Sequence, residues 1–550
     1  MIYAKKVLYR VILKEVFGPQ VAEVALCLFR SPYSHFKNLI ENSRTLKLSP
    51  KELSQCLATL YQHQLLIIVK SERNPEILEF LLDEEKILCI LLFPKFLRLL
   101  DRKSGKVHGV VLQELFTRGR DSMSSALFHA ISFLKVGESH ASVQEVLDCF
   151  TELVVEKYII PVEPFDSSEQ GAVSLSLPSL SLETQQKIAK ALSEEATELP
   201  ELPDRKKLWT VNLKKLGQDL RNDLVQDAAQ SLIDSNAAEV LGLFLNLVDA
   251  LAEKGKFLNL KNEEVVSQAQ RRHCVTESKF VNGYLQILAE NGFIQRVEGA
   301  VEGTYTAGHT KILEKLARAI VECAVLTLGK HSLRLFCATE EYGLVSQETL
   351  YTKMILSKSD VNRRVAQLVR KGFVVQYDYR KNNAFYVKKH YCNPTLNKVE
   401  FTKVVQTVLQ RTYQALLNAK IVSQDISSES EEILKKKDKL EQLEEEVKAG
   451  IAENLENEEC LREIVRNYFT EEDEKEYHGF LKKDWLLNGV QLKLALDILI
   501  LEDFLKAVTV QFQPRTRSVV RLWNFVCLFS TMQYIHEFCI EKKIDSDFKV

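Results

Sequence analysis

Glycine and proline are scarce in this chain of 550 residues, which has 20 of the first and 12 of the second. Both residues interrupt helices, so their scarcity agrees with the apolar spacing of most segments, which is helical with short β-rich runs between. An apolar fraction of 46% and a charged fraction of 27% are ordinary for a globular protein. At roughly 100–200 residues per domain, the length predicts about three to five folding units.

Paired cysteine motifs are missing. The chain has 11 cysteines, and no two of them stand in a CxxC arrangement. An odd, scattered set is poor evidence for a disulfide framework or a zinc site. Most of these cysteines, such as Cys27 and Cys323, lie in apolar helical runs, where a thiol behaves as a small apolar side chain. We therefore expect a reducing compartment.

The chain also lacks an excess of one charge and a long apolar run. Its formal net charge of −2 excludes polyanion binding by bulk attraction, so any nucleic-acid contact must come from local basic patches. The stretch from Val519 to Ile540 includes Arg521 and Glu537 and is too polar to span a bilayer comfortably. The first residues alternate Lys and Arg with apolar residues, which is not typical of a signal peptide. We expect a soluble protein.

Catalytic motifs are absent too. There is no phosphate loop, GxGxxG or GxSxG. Gly329-Lys330 resembles the end of a phosphate loop, but Ala324 occupies the position of the upstream glycine. His536-Glu537 does not begin an HExxH motif, because Ile540 stands where the second histidine belongs. We therefore expect no enzyme activity, no catalytic residue, no metal and no cofactor.

A repeated pattern of helix ends is present. Each copy has an apolar residue, a leucine three positions later, and an apolar pair that starts five positions after the leucine. The apolar residue and the leucine, with i, i+3 spacing, bury one helix face. The apolar pair then begins a strand-like run. Such a helix-to-strand transition is typical of the third helix and first wing strand of a winged helix. The four copies begin at Leu57, Phe150, Leu285 and Val365.

Helix starts and stops agree with the repeat. Ser49 and Ser142 each precede a glutamate by three residues, which predicts capping boxes. Thr276 and Ser357 are candidate caps for the other two helices. Gly292 and Gly372 stand where a helix must stop and a positive φ is easily adopted.

The sequence thus predicts a mostly α protein built of α+β modules, with tandem winged-helix domains before a C-terminal coiled-coil helical hairpin. The hairpin rests on an acidic segment, 429–459, with apolar residues at a/d-like positions. In the fourth module, two β-rich arms around Lys381-Asn382-Asn383 predict the wing hairpin. The predicted boundaries are 1–82, 83–163, 205–309 and 310–392 for the four winged helices, 164–204 for a linker, 398–506 for the hairpin and 507–550 for an unassigned tail.

The fourth module is locally basic. Eight Lys or Arg lie between Ser359 and Cys392, opposed only by Asp360 and Asp378. Cationic side chains on a recognition helix and a wing can bind phosphate; a solvated face or a face that meets an acidic protein is the alternative. The third helices of the first two modules are less basic and favour protein contacts. The candidate nucleic-acid contacts are Arg363, Arg364 and Arg370 on the helix, Lys371 where the helix must stop, and Arg380 and Lys381 at the wing tip.

The order of four winged helices, an acidic linker and a helical hairpin resembles the large winged-helix subunit of the RNA polymerase III initiation heterotrimer. Three stretches are similar to that subunit: FGPQVAEVALCLFR from Phe17, LLFPKFLRLLDRKSGKVHGVVLQELFTRGRDSMSSAL from Leu91 and LWTVNLKKLGQDLRNDLVQDAAQ from Leu208. The resemblance runs over roughly residues 5–505. Residues 507–550 match nothing in the family pattern, so no function is carried over to them.

The resemblance implies a non-catalytic, nuclear subunit. Its partners would be two smaller heterotrimer subunits, the clamp of the largest polymerase subunit, promoter-bound initiation factors and DNA without sequence preference. It would help to recruit the polymerase and to open the promoter. Two other readings remain open: a stand-alone DNA-binding regulator with tandem winged helices, and a winged-helix scaffold outside transcription.

Overall fold

A computed structural model describes most of the chain. The described residues are 2–31, 33–44, 48–71, 77–136, 141–162, 180–193, 204, 207–253, 259–271, 278–297, 303–307, 309–378, 395–453 and 468–511. In these ranges the fold is mostly helical, with four small antiparallel sheets of three strands each. The cysteines described there carry free thiols. None of the helices described is both long and apolar enough to cross a membrane.

The first unit is a winged helix preceded by one extra helix. Its sheet has the order β1-β3-β2, so that the last strand pairs with both others. Pro50 at the first helical position and a complete capping box of Ser49 and Glu52 start its third helix. The elements are α1 (Ile2–Phe17), α2 (Pro19–Arg30), β1 (Ser34–His35), α3 (Phe36–Arg44), α4 (Pro50–Gln62), β2 (Leu66–Lys70) and β3 (Leu78–Leu82).

The second unit repeats this plan with an insertion between its wing strands. Ser142 and Glu145 form the second complete capping box, at the start of its third helix. The inserted helix α9 packs on α7 and α8. The elements are α5 (Glu84–Lys103), α6 (Lys106–Arg118), β4 (Asp121–Ser122), α7 (Met123–Val136), α8 (Val143–Val155), β5 (Ile159–Pro161), α9 (Leu182–Ser193) and β6 (Leu208–Val211).

The boundary expected between residues 204 and 205 is therefore wrong. The strand β6 pairs with β4 and β5, so it closes the sheet of the second unit and does not open the third. Trp209 explains this placement, because its buried ring packs edge-on against Phe150 of α8, with ring centroids 5.7 Å apart. The segment 164–204, expected to be a linker, lies between two strands of one sheet and contains α9.

The third and fourth units follow the same plan. Their sheets have the orders β7-β9-β8 and β10-β12-β11. The third unit has α10 (Leu213–Leu232), α11 (Ser235–Glu253), β7 (Asn259–Lys261), α12 (Asn262–Arg271), α13 (Ser278–Glu290), β8 (Ile294–Arg296) and β9 (Thr304–Ala307). The fourth has α14 (His309–Leu326), α15 (Lys330–Tyr342), β10 (Val345–Ser346), α16 (Gln347–Met354), α17 (Lys358–Arg370), β11 (Val375–Asp378) and β12 (Thr395–Lys398).

The fourth unit ends later than residue 392. The partner of β11 is β12, which also pairs with β10, so the described return strand begins at Thr395, and the turn expected around Lys381-Asn382-Asn383 lies outside the described residues. Asn397 fixes β12 in place: its side chain is fully buried, accepts a hydrogen bond from Gln376 at 3.1 Å and donates one to the Val345 carbonyl at 3.5 Å.

The four predicted helix-to-strand transitions are confirmed in detail. Each third helix has 13 residues and ends in the same turn, in which one residue adopts a left-handed conformation. These residues are Gln64, Lys157, Gly292 and Gly372, with φ of 62°, 64°, 74° and 75°. The next amide donates to the carbonyl five residues back, at 2.9 Å in every unit, which is the Schellman closure. The apolar residues that define the repeat are buried in all four units.

In the described part of the chain, three helices follow the fourth unit: α18 (Phe401–Glu429), α19 (Glu431–Glu453) and α20 (Glu471–Gln511). Residues further along α18 and α19 contact residues earlier in α20. Tyr413 donates a hydrogen bond to Glu502 at 2.6 Å, and the Lys436 ammonium lies 2.8 Å from the Asp473 carboxylate. The antiparallel hairpin expected from the sequence is therefore present. It extends to Gln511, beyond the boundary expected at 506.

The base of the hairpin, where the second half of α20 lies beside α18, is the centre of the molecule. The second half of α20 packs against α5, α14 and α18, and α18 packs against α1. Lys5 of α1 links these elements, with its ammonium 3.0 Å from Glu84 and 3.3 Å from Glu502. Lys420 of α18 contacts Glu15 of α1 at 2.9 Å. These contacts join the first and last described helices.

Candidate nucleic-acid interface

The helix α17 carries three of the predicted contact residues, and a fourth, Lys371, directly follows it. The Ser357 hydroxyl caps it by accepting a hydrogen bond from the Asp360 amide at 3.2 Å. Val361, Val365 and Leu368 bury one face in the core of the fourth unit. The opposite face is open to solvent, so the helix has one buried and one exposed face, as a recognition helix does.

Two arginines lie along this open face. Arg363 and Arg370 are seven residues apart, which places them on one side of the helix about two turns from each other. The Arg363 side chain is 67% exposed and pairs with Asp360 at 3.0 Å. That exposed pair is weak, so a phosphate can compete for the guanidinium. Arg370 is exposed at the end of the helix.

Arg364 lies differently from the other three predicted residues. Its side chain is half-buried, and Nη1 donates to the Ser332 hydroxyl of α15 at 3.4 Å. Its Nε is buried without a hydrogen-bond partner among the described residues. Arg364 therefore contributes to the packing of α17 on α15 and offers less of its charge to solvent than Arg363 does.

Lys371 follows the helix, and its environment includes a cation that the sequence analysis missed. The Lys371 side chain is exposed, and its carbonyl accepts a hydrogen bond from Arg411 of α18. The Arg411 guanidinium also lies 4.9 Å from the centre of the Phe373 ring, and its partial burial lowers the pKa of the group. Only the packing of α18 beside α17 brings Arg411 here, since it is 40 residues away in the chain.

Arg380 and Lys381 lie outside the described residues, so the predicted wing-tip contact stays a prediction. The first wing strand, β11, includes Tyr377, which is exposed and donates a hydrogen bond to Glu400. This bond raises the pKa of the Tyr377 hydroxyl, which therefore stays neutral at physiological pH.

The local charge of the fourth unit favours an anionic partner. Between Lys353 and Lys371 there are six cationic side chains and one acid, Asp360. A hydrogen bond from Ser357, with Arg363 and Arg364 nearby, lowers the pKa of Asp360. The acid is thus ionised at neutral pH, and the excess of cations remains.

The third helices of the other units have different surfaces. In the first unit, the Gln62 carbonyl accepts from the Arg120 amide at 3.0 Å, and the Arg120 guanidinium lies 3.6 Å from the Tyr61 ring centre. The end of α4 is thus covered by contacts with the second unit. The open face of α8 is acidic, with Asp148 and Glu152 exposed. That face repels phosphate.

The third unit's helix α13 presents two exposed apolar groups. Phe280 is 59% exposed and Ile287 is 39% exposed. Arg271 is exposed at the end of α12. Among the described residues, no group of His, Cys, Asp and Glu is arranged to hold a metal ion.

Four repeated helix-to-strand units and a helical hairpin define a tandem winged-helix protein. Residues 7–70 match the family model of the RNA polymerase III subunit RPC82 helix-turn-helix domain, and this range ends with β2. The DNA-directed RNA polymerase III subunit RPC3 of Danio rerio is 21% identical to the chain over 367 residues, which cover 59% of the chain and 67% of the relative. The chain is therefore similar to RPC3 and has the fold of a tandem winged-helix protein.

Proposed function

We propose that this protein is a non-catalytic, nuclear subunit of DNA-directed RNA polymerase III, which scaffolds an initiation heterotrimer. The similarity to RPC3, together with the RPC82-type domain in the first unit, carries this proposal. Its partners are two smaller heterotrimer subunits, the clamp of the largest subunit and promoter-bound initiation factors. In that assembly it contributes to polymerase recruitment and promoter opening.

The surfaces of the winged helices support a scaffolding role. A winged helix that binds DNA needs an open, cationic third helix. The end of α4 is occupied by Arg120 and the face of α8 is acidic, so both suit protein contacts. The exposed apolar residues of α13 also suit protein contacts, because aromatic and aliphatic side chains are the usual anchors of protein interfaces.

The fourth unit supports an additional contact with DNA. Arg363, Arg370 and Lys371 are exposed on or just beyond α17, and an exposed cation gains free energy at a phosphate by releasing bound counterions. Asn362 and Gln367 are the amide side chains on this helix that could read base edges, and Asn362 accepts a hydrogen bond from Tyr351 at 2.5 Å. We therefore expect contact with the DNA backbone without sequence preference.

Affinity purification of the tagged full chain, with identification of the recovered proteins, tests the proposal. We expect to recover RNA polymerase III subunits with the parent chain in near-stoichiometric amounts. A control variant, in which exposed Lys14, Lys37 and Lys51 are changed to Ala, should recover the same subunits. Recovery of the chain without polymerase subunits contradicts the proposal. If that chain also binds one DNA sequence by itself, the stand-alone regulator is the better description, and the open face of α17 is what favours it.

A further inference from the structure

Ile355 is the most exposed large apolar side chain in the described part of the chain, at 91%. It follows α16 and adopts φ 52° and ψ 40°, a left-handed conformation. A β-branched residue is disfavoured there, and glycine or asparagine is the usual choice. Since Ile355 combines this conformation with almost complete exposure, the packing of the fourth unit does not explain the residue.

The residues on either side hold this side chain outward. Met354 is buried, and Leu356 packs against the core. Ser357 is fixed as the cap of α17 by the Asp360 amide. Ile355 is therefore the tip of a well-anchored turn, and its side chain has little freedom to fold back.

The position of this tip is that of a contact residue. The turn joins the second and third helices of the fourth winged helix, two residues before the cap of α17. In helix-turn-helix proteins the N-terminal residues of the recognition helix reach the base edges. Ile355 lies at that end of α17, whereas Arg370 and Lys371 lie at the other.

The surrounding charge identifies the partner. Lys353 and Lys358 flank the turn and are exposed, and Arg363 follows on α17. Two acids lie near: Asp360, which is paired with Arg363, and Glu348, seven residues from Ile355 and thus about 10 Å further along α16. An apolar tip among cations fits a polyanion with apolar faces, which is a nucleic acid, better than it fits a protein pocket.

We propose that Ile355 is an apolar wedge that packs against the faces of DNA bases while the neighbouring cations hold the backbone. Proteins that bend or open DNA insert isoleucine and similar side chains between base steps, which unstacks the bases. This inference rests on the proposed DNA contact of the fourth unit and adds to it a residue that acts on base stacking. A wedge of this kind suits a protein that assists strand opening.

The test uses the full chain and a short DNA duplex that contains 2-aminopurine, whose fluorescence rises when the base is unstacked. The Ile355→Asn variant keeps a residue that tolerates the left-handed conformation but removes the apolar tip, and Ile355→Met retains an apolar tip. We expect the parent and Ile355→Met to raise the fluorescence and Ile355→Asn not to. Ile355→Asn should bind about tenfold more weakly, the order expected when the burial of one large aliphatic side chain is lost, with an unchanged salt dependence because no charge is altered.

Three results overturn the wedge. Equal affinity and equal fluorescence for the parent and Ile355→Asn show that the tip does not touch bases. Loss of co-purifying polymerase subunits from Ile355→Asn, with DNA binding unchanged, makes the tip a protein contact. Absence of DNA binding by the parent rejects both the wedge and the DNA contact of the fourth unit, whereas membership of the polymerase is decided separately by co-purification.

Discussion

The Nε of Arg221 lies 2.8 Å from a carboxylate oxygen of Asp503, although 282 residues separate them in the chain. Both side chains are almost completely buried, at 8% and 3% exposure. Arg221 belongs to α10 of the third unit and Asp503 to the base of α20, so this ion pair joins the hairpin to a winged helix. Burial raises the pKa of Asp503 to about 6 despite the guanidinium, and the pair is therefore ionised at neutral pH.

Removing one member of this pair should destabilise the protein strongly. Arg221→Met removes the closest cation from a buried carboxylate and leaves it the Lys506 ammonium at 4.0 Å, and we expect it to lower the free energy of unfolding by about 3–5 kcal/mol. The double variant Arg221→Met, Asp503→Leu should recover most of that loss, because no isolated charge remains. Denaturant unfolding at neutral pH measures both. As a control, Arg102→Met removes the partner of Asp223 in an exposed pair and should cost less than about 1 kcal/mol; equal losses in the two single variants contradict the prediction.

Asp219 predicts a dependence of stability on pH. Burial by itself raises the pKa of this carboxyl, but the ammonium groups of Lys103 and Lys215 and the Tyr158 hydroxyl outweigh burial and lower the pKa below its usual 3.8. A depressed pKa stabilises the fold above the unfolded pKa, and this stability is lost as pH falls through the folded value. At neutral pH, Asp219→Asn should therefore cost about 2 kcal/mol, and this deficit should shrink below about pH 4.

Thermal unfolding of the parent and Asp219→Asn over a pH series measures this deficit. The matched control is Asp223→Asn, one turn further along α10, whose carboxylate is 29% exposed. We expect that variant to stay within a few tenths of a kcal/mol of the parent at every pH. A deficit of Asp219→Asn that does not change with pH would indicate that packing alone is lost.

The two capping boxes should contribute similarly to the first two units. Ser49→Ala and Ser142→Ala each remove the acceptor for the Glu52 or Glu145 amide, which lies at 3.2 Å in both cases. We expect each change to lower stability by about 1 kcal/mol. Ser54→Ala, at an exposed position inside α4, replaces the same residue type without removing a cap and should be neutral or slightly stabilising. Circular dichroism during thermal unfolding distinguishes these outcomes.

The open face of α17 predicts a salt-dependent affinity for DNA. Arg363→Ala, Arg370→Ala and Lys371→Ala together remove three possible phosphate contacts, and each contact contributes about 0.9 to the slope of log affinity against log salt for duplex DNA. We expect the slope to decrease by about 2 to 3. The triple variant of Lys14, Lys37 and Lys51 loses the same charge elsewhere and should retain the parent's slope. Equal slopes for the two triple variants would falsify a phosphate role for α17.

The sequence was sufficient to predict the helix ends and not sufficient to predict the closing strands. Leu60, Leu153, Leu288 and Leu368 occupy equivalent buried positions, so local periodicity found all four third helices. The return strand β6 is far in the chain from its partner β5, as β12 is from β11, and no two-residue hairpin turn joins either pair to predict the pairing. Loop closure becomes only slowly more costly with length, so a strand can pair across an insertion that sequence patterns do not bridge.

The candidate site was predictable only where it is local. The spacing of Arg363 and Arg370 places both on the open face of α17, as the helical period requires. The half-burial of Arg364 against Ser332 and the approach of Arg411 to Lys371 depend on how α15 and α18 pack. No local pattern contains those contacts. The left-handed conformation of Ile355 is likewise a property of its turn, and residue type alone argues against it.

The central position of α20 has a consequence for synthesis of the protein. The ribosome makes the four winged helices before it makes the helix that holds Glu502 and Asp503, so until then α5 and α14 lack a packing partner and α1 and α10 lack the ion pairs of Lys5 and Arg221. Domains fold in order during translation, and apolar surfaces left uncovered in that interval attract chaperones or other chains. A chain whose translation stops before α20 would keep those surfaces exposed and be removed by quality control. Only a chain translated through α20 would therefore be available to join an assembly.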